Sequence, residues 1–381
     1  MPAEMDSNLP PTSARSTPSS EPKDVSVQGT PNAPVTGGLS PVARQHPQHA
    51  GGSGDDRHGP QSGAGRLVQA CQFLPHRVGL KPQRGWRKRN LNFLRTVLLP
   101  QMFARRTGAE SKPSFPQPGQ GDVAVTWIGH ATFLLQMGGL NLITDPNWAL
   151  WHGPVKRARR PGIALRDLPP IDLLLVSHAH FDHLHLPSLP SFAAGQPAVV
   201  PAGVGSLLAG RGFSPVVELR PWETFRWKGV EITLTPAQHW GARYLHDTYR
   251  GFGGFLIQAD GTTVFHAGDS ALFPGYAEIG RRADIDMALM PIGAYGAPSG
   301  RAVHMNPEEA IEAFDALQGN VMMPMHYATF PLGTEPMDEP LQRLCRGVSG
   351  TDWSQRLDVL AEGVPVLYEA GKVMPPRLAA S

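Results

Sequence analysis

Stacked β-sheets with helices on the outside, an α+β class, are the architecture this sequence predicts, and three observations predict it. Short apolar runs of strand length recur from about residue 121 onward. Two-residue turn signals join some of these runs directly to the next. Amphipathic helical patterns are few. A doubly wound parallel sheet would alternate each strand with a helical pattern, and the chain lacks that alternation.

Taken in order, residues 1 to about 65 are dominated by Pro, Ser, Gly, Thr and Gln. Such a segment has too little apolar surface to recover its ordering entropy, so it is expected to be disordered. A basic lead-in segment comes next, from 66 to 120, containing RGWRKRNLNFLRTVLLPQMFARR. Within it Arg84, Arg87, Lys88, Arg89, Arg95, Arg105 and Arg106 face no acid. Leu91, Leu94, Val97 and Leu98 share one face at helical spacing, and Pro100 is expected to kink or end that helix. The helix either packs on the adjoining domain or lies in the interface of an anionic membrane.

The domain from 121 to 376 holds the strand runs VAVTWI, TFLLQM, LNLIT, IDLLLV, AVVPA, VEITLTPA, GFLIQ, TVFHAG, DMALMPI and NVMMPM. Gly138-Gly139 joins TFLLQM to LNLIT, and Asp260-Gly261 joins GFLIQ to TVFHAG, both as hairpins. NPEEAIEAFDAL is the clearest helix. Asn306 is its N-cap, Pro307 its first residue, and Glu309 stands three past the cap.

Composition narrows the function class. Hydrophobic residues are 41% and charged residues 17%, ordinary for a soluble globular chain, and a formal net charge of +2 argues against general nucleic-acid binding. Cys71 and Cys345 form no C-x-x-C and suffice for neither a disulfide framework nor a thiolate zinc site, which suggests a reducing compartment. The first twenty residues lack the apolar core of a secretory signal. No apolar run reaches the roughly 18 residues a membrane span needs. A cytoplasmic protein, peripheral to the membrane at most, is the expectation.

The chemistry concentrates in LLLVSHAHFDHLHLPS, residues 173 to 188. Side chains at i and i+2 of an extended segment share a face, so His178 and His180 can grip one ion. Asp182 and His183 come where the chain turns toward a helix, pointing differently, as a second ion requires. Imidazole nitrogens and carboxylates suit zinc, with iron or manganese as alternatives. The missing ligands are sought after later strand runs, where His239 (TPAQHW), Asp269 (VFHAGDS) and His326 (MPMHYATF) occur.

SHAHFDH is the H-x-H-x-D-H signature of the metallo-β-lactamase superfamily, which the chain resembles in this motif and in the order of its three partners. More narrowly, VTWIGHATFLLQM, LITDP, GPVKRARRPG, LPPIDLLLVSHAHFDHL, TPAQHW, AGDS, PIGAY, HMNPEEA and MHYATF resemble the branch of N-acylphosphatidylethanolamine-hydrolysing phospholipases D. The likeness spans roughly residues 121 to 332. It implies a four-layer αβ/βα sandwich with a dinuclear site at one edge of the two sheets. By it, the first ion takes His178, His180 and His239, the second takes Asp182, His183 and His326, and Asp269 bridges them. It further implies two zinc ions per chain and hydrolysis of a phosphodiester by a hydroxide held between them. The substrate expected is N-acylphosphatidylethanolamine or a related phospholipid.

Asp269, Asp182 and His304 are assigned to the reaction itself, His304 donating to a phosphoryl oxygen or protonating the leaving alkoxide. Asp145 is expected to accept the second N–H of a ligand histidine, and His130 to sit at the site's edge. His185 and His266 read as supporting or structural residues. Arg157, Arg159 and Arg160 read equally as a lipid-phosphate site or a solvated face. Between Tyr295 and His304 the chain reads GAPSGRAV, without the aromatic and charged residues associated with the lipid enzymes there. Two rival readings remain: a lactonase of the same fold, opening a sugar-phosphate lactone, and a non-catalytic, membrane-associated metal protein. The seven intact ligand positions disfavour the second.

Overall fold

The computed structural model describes residues 26–28, 85–244 and 246–371. Cys71, Arg84, most of the tail expected to be disordered and residues 372 onward lie outside them.

One short piece of that tail departs from expectation. Strand β1 (Ser26–Gln28) pairs antiparallel with Thr224–Arg226. The local sequence DVSVQ alternates β-branched and polar residues, and an open sheet edge offers unpaired N–H and C=O groups to such a segment.

The lead-in helix runs as α1 (Trp86–Phe93), a wide π-turn (Leu94–Leu98) and α2 (Leu99–Phe103). Pro100 does not end it. The Leu99 N–H reaches back five residues to the Leu94 carbonyl, and Pro100 then falls in the first turn of α2, where a missing N–H costs nothing. The residue inserted by the wide turn rotates the rest of the helix by about 100°. Phe93 and Leu98 are therefore the buried positions, while Leu91 and Leu94 stay exposed. Beyond the helix, residues 104 to 120 run along the domain. Ser111 Oγ donates to the carbonyls of Gly162 and Gly363, and Phe115 packs into the core, so the packed domain begins ahead of residue 121.

The domain is built on two seven-stranded mixed sheets. In chain order come β2 (Val123–Gly129), β3 (Thr132–Met137), β4 (Leu140–Thr144), the small hairpin β5 (Trp151–His152) and β6 (Val155–Lys156), β7 (Leu173–Leu175), β8 (Ala198–Pro201) and β9 (Val216–Leu219). Next are β10 (Thr224–Trp227), β11 (Val230–Thr235), β12 (Gly254–Ala259), β13 (Thr262–His266), α3 (Gly275–Arg282), β14 (Met287–Pro291), α4 (Pro307–Leu317), β15 (Val321–Met325), α5 (Glu339–Val348) and β16 (Val366–Tyr368). The first sheet has the order β16-β2-β3-β4-β7-β8-β9, the second β1-β10-β11-β12-β13-β14-β15.

The expected strand runs all occur, and both hairpin turns adopt positive φ at their central residues, as two-residue turns of this hand demand. Side-chain alternation decides which layer each residue joins. Phe133, Leu135, Leu142, Leu173, Leu175 and Val199 enter the core between the sheets, where they meet Phe225, Ile232, Ile257 and Val264. Leu134, Ile143, Leu174, Val176 and Val200 enter a second core on the outer face. That outer core is closed by short 3₁₀ turns (Leu186–Ser191 and Gly205–Leu207), while α3, α4 and α5 cover the outside of the second sheet. On α4 the capping box forms as the sequence predicts. Asn306 Oδ1 accepts from the Glu309 N–H, and the Glu309 carboxylate accepts from the Asn306 N–H.

Parallel pairing brings strand ends together. β4, β7 and β8 run parallel in one sheet, and β13, β14 and β15 in the other. The loops leaving their C-terminal ends carry Asp145, His178–His183, Asp269 and His326.

Candidate metal centre

The ligand loop leaves β7 and turns at once. The N–H groups of His183 and Leu184 both donate to the His180 carbonyl, and a 3₁₀ turn begins at Leu186 where a helix was expected. This turn sends His178 and His180 one way and Asp182 and His183 another. His180 Nδ1 lies 2.9 Å from His178 Nε2 and 3.3 Å from His239 Nε2, so these three imidazoles make one group. Asp182 Oδ2 lies 3.5 Å from His183 Nε2 and 3.4 Å from His326 Nε2, making a second.

Asp269 stands between them. Its Oδ2 is 3.0 Å from His326, 3.1 Å from His183, 3.8 Å from His239 and 3.9 Å from His178. Carboxylates and imidazoles set each other's protonation here. Burial opposes charge on every one of them, yet Asp269, then Asp182 and Asp145, raise His183 well above the ordinary imidazole range. Against the same burial, Asp269 and Asp182 lift His326 to about 9. Burial lowers His178 and His239, and takes His180 to about 3.

These residues fit a pair of divalent cations. His183 Nε2, His326 Nε2 and Asp269 Oδ1 are buried without a hydrogen-bond partner, an arrangement that costs free energy unless a ligand meets them. Five imidazoles and two carboxylates converge: His178, His180 and His239 form one close group, Asp182, His183 and His326 another with His130, and Asp269 groups with His178 and His183 and with His239 and His304.

The surrounding shell fixes the ligands. Asp145 Oδ2 accepts from His183 Nδ1 at 2.7 Å and from Ser177 Oγ at 2.6 Å. Ser177 Oγ also lies 2.9 Å from His178 Nδ1, so one carboxylate steers an imidazole of each triad. His130 is not at the edge of the site. It is buried, with Nε2 2.9 Å from Asp182 Oδ2, and burial lowers its pKa to about 3. Its carbonyl accepts from the N–H of His326. Asp145, His130 and His326 all adopt positive φ, conformations that non-glycine residues hold only where surroundings enforce them.

His304 is buried beside the centre, its Nδ1 3.8 Å from Asp269 Oδ2 and without a hydrogen-bond partner. Burial holds it neutral, which suits an N–H donor better than a proton-carrying acid. His185 bonds Ser188 and His266 approaches the Ala131 carbonyl, both supporting roles. Neither expectation for the arginines holds at Arg157. It is wholly buried and donates to the carbonyls of Asn147 and Arg159, bracing the loop after β4. Arg159 pairs with Glu362, and Arg160 is exposed.

Three supports went unread in the sequence: Ser177, Asn147 and Arg243. Asn147 donates to the Asp182 carbonyl at 2.6 Å and Arg243 to the carbonyls of Ala179 and Leu184. Ser177 could have been found, because it directly precedes the first ligand. Side chains that hold backbone carbonyls leave no spacing to find.

Comparison with known proteins agrees with this geometry. The model of a β-lactamase superfamily domain matches residues 140–327. A Mycobacterium tuberculosis protein without an assigned function is 31% identical over 264 residues, covering 65% of this chain and 70% of the relative. An N-acyl-phosphatidylethanolamine-hydrolyzing phospholipase D of Caenorhabditis elegans is 32% identical over 242 residues, covering 56% of this chain and 67% of the relative. Among solved structures, a metallo hydrolase of the archaeon Ignicoccus hospitalis superposes with a TM-score of 0.50 at 26% identity, over 65% of this chain and 99% of the other. With the sandwich, the donor set and these relatives agreeing, the chain belongs to the metallo-β-lactamase superfamily and is one of its metal-dependent hydrolases.

Proposed function

We propose that the protein hydrolyses the phosphodiester of N-acylphosphatidylethanolamine or a related phospholipid, in the manner of a phospholipase D. The observation that carries this reading is Asp269, a buried carboxylate shared between two imidazole groups with His304 beside it. Its support from outside the chain is the phospholipase D relative.

His178, His180 and His239 would hold one ion, Asp182, His183 and His326 the other, and Asp269 both. Zinc is the metal proposed, since imidazoles outnumber carboxylates five to two in the donor set. Such a pair, when bound, neutralises phosphoryl charge and lowers the pKa of water toward neutrality. The chain's own groups do the rest. Asp269 Oδ1, a buried acceptor with no partner, orients an attacking water. His304 donates to a nonbridging phosphoryl oxygen. The water oxygen joins phosphorus as the P–O bond to the N-acylated amino-alcohol headgroup breaks, and the proton the water gives up ends on the departing oxygen.

The proposal extends to place. No helix among the described residues is long and apolar enough to cross a membrane. Leu91, Leu94, Leu99, Met102 and Phe103 on the lead-in helix are exposed, as are Leu150 and Trp151 nearby. Lys156 donates to the Met102 and Ala104 carbonyls, and Arg106 to the Leu150 carbonyl, so helix and hairpin form one surface. Apolar side chains among cations suit an anionic bilayer. A cytoplasmic enzyme, peripheral at such a membrane, is the reading this supports.

The experiment is a panel: N-acylated and plain phospholipids, bis(p-nitrophenyl) phosphate, and sugar-phosphate lactones, each with the zinc-loaded protein. Release of N-acylethanolamine with phosphatidic acid is the expected outcome. Turnover of lactones alone would transfer the protein to the lactonase reading.

A further inference from the structure

The ligand loop is clamped from outside by one arginine. Arg243 Nη1 donates to the Ala179 carbonyl at 2.8 Å and to the Leu184 carbonyl at 2.9 Å. Those two carbonyls bracket His180, Asp182 and His183, and Ala179 comes directly after His178. The guanidinium plane also covers the Phe181 ring, at 4.1 Å from its centroid. Phe181 sits between His180 and Asp182 in sequence and is itself exposed; Tyr244 meets its ring edge-on at 5.6 Å between centroids, so residues 243 and 244 together hold it. Arg243 is almost wholly buried, and burial lowers its pKa.

The arginine comes from a segment that matters for another reason. His239, a ligand from the other sheet, lies four residues ahead of it. Between them, Gly241 passes so close to the Arg250 carbonyl that an added Cβ would fall 2.1 Å from its oxygen. No residue but glycine fits, and the segment from His239 to Arg243 is thereby pressed against residues 250 and 251. One short piece of chain thus supplies a ligand to the first ion and a brace to the loop that supplies ligands to both.

We infer that Arg243 is a positioning residue that locks the ligand loop in register with His239, and so sets the affinity for both metal ions. It acts through the backbone, by fixing the two carbonyls on either side of the turn. The inference concerns metal binding and stands whether the substrate is a phosphodiester or a lactone.

Outer-shell partners of this kind typically contribute 10- to 100-fold to metal affinity. R243Q, which keeps a polar stem but cannot span both carbonyls or cover Phe181, should weaken zinc binding by that factor for both ions, measured by chelator competition on the full chain. R243K retains the charge without the planar cover and should fall between wild type and R243Q. The separating readout is the visible spectrum of the cobalt-substituted protein at saturating metal, since a displaced loop alters ligand geometry and hence the bands. A residue that only stabilises the fold would lower the melting temperature and leave affinity and spectrum unchanged. That result in either variant overturns the inference, and R243K decides alone if R243Q does not fold. Weakening confined to one ion would also overturn it, because the clamp spans ligands of both.

Discussion

Asp145 Oδ2 and His183 Nδ1 lie 2.7 Å apart, wholly buried, in the loops that leave the adjacent parallel strands β4 and β7. The pair fixes which nitrogen of His183 carries the proton and turns the other, Nε2, toward Asp269 at 3.1 Å. The same carboxylate accepts the Ser177 N–H and hydroxyl. D145N is the informative variant, because asparagine tolerates the positive φ at this position as aspartate does. It should weaken zinc binding by about 10- to 100-fold, with the ion that takes His183 lost first in stepwise chelation. Unaltered affinity would show that the ring is held by packing alone.

Asp269 and His183 should differ in what their loss removes. D269A takes away the one carboxylate close to both imidazole groups. Metal analysis after dialysis should find both sites depleted and activity gone. H183A should deplete mainly one. Equal depletion in the two variants would argue against two separable sites.

Anionic vesicles should bind the protein in sedimentation, and neutral ones should not. Exposed Arg87, Lys88, Arg95 and Arg105 surround the apolar side chains of the lead-in helix, and such attraction is screened within about 10 Å at 0.1 M salt. Binding should therefore fall as salt rises, and F103S with L99S should reduce the remainder. Equal binding to neutral vesicles would leave the apolar contact but remove the electrostatic one.

The cap of α4 offers a control for stability. N306A removes a buried-end acceptor for the Glu309 N–H and should cost about 1 kcal/mol, seen as a lower denaturant midpoint. Because Asn306 lies two residues past His304, the variant also measures what a purely structural fault nearby does to turnover.

Strands were legible wherever both faces are buried, since a run such as LLLV in β7 carries its own signal. The short edge strands β9 and β16, and β10 beside the edge strand β1, were not. VVEL and TFRW mix charge into few residues, and what holds VLY is its pairing with β2. The helices α3 and α5 were also unread: Gly275 and Gly280 interrupt one, and Pro340 the start of the other. At the centre the opposite held. The seven residues proposed as donors, which the structure brings together, were readable because His and Asp recur just past apolar strand runs. The backbone braces Asn147 and Arg243 were not, because nothing in their spacing betrays which carbonyl they reach.

His304 is the residue whose role turns on one comparison. Its Nδ1 is buried, unpaired and 3.8 Å from Asp269, so a phosphoryl oxygen near that carboxylate lies within its reach. As a neutral donor it would stabilise charge on that oxygen throughout the reaction and would give no proton to the departing group. H304A should then lower kcat/KM by about 10²- to 10³-fold, the size of loss seen when one such donor is removed. The loss should be alike for an alkoxide and for p-nitrophenolate, which needs no protonation. H304Q, whose amide can still donate, should recover part of it. Zinc content should be unchanged and stability should differ from that of N306A. A far greater loss on the alkoxide than on the phenolate would instead make His304 the acid that protonates the leaving group.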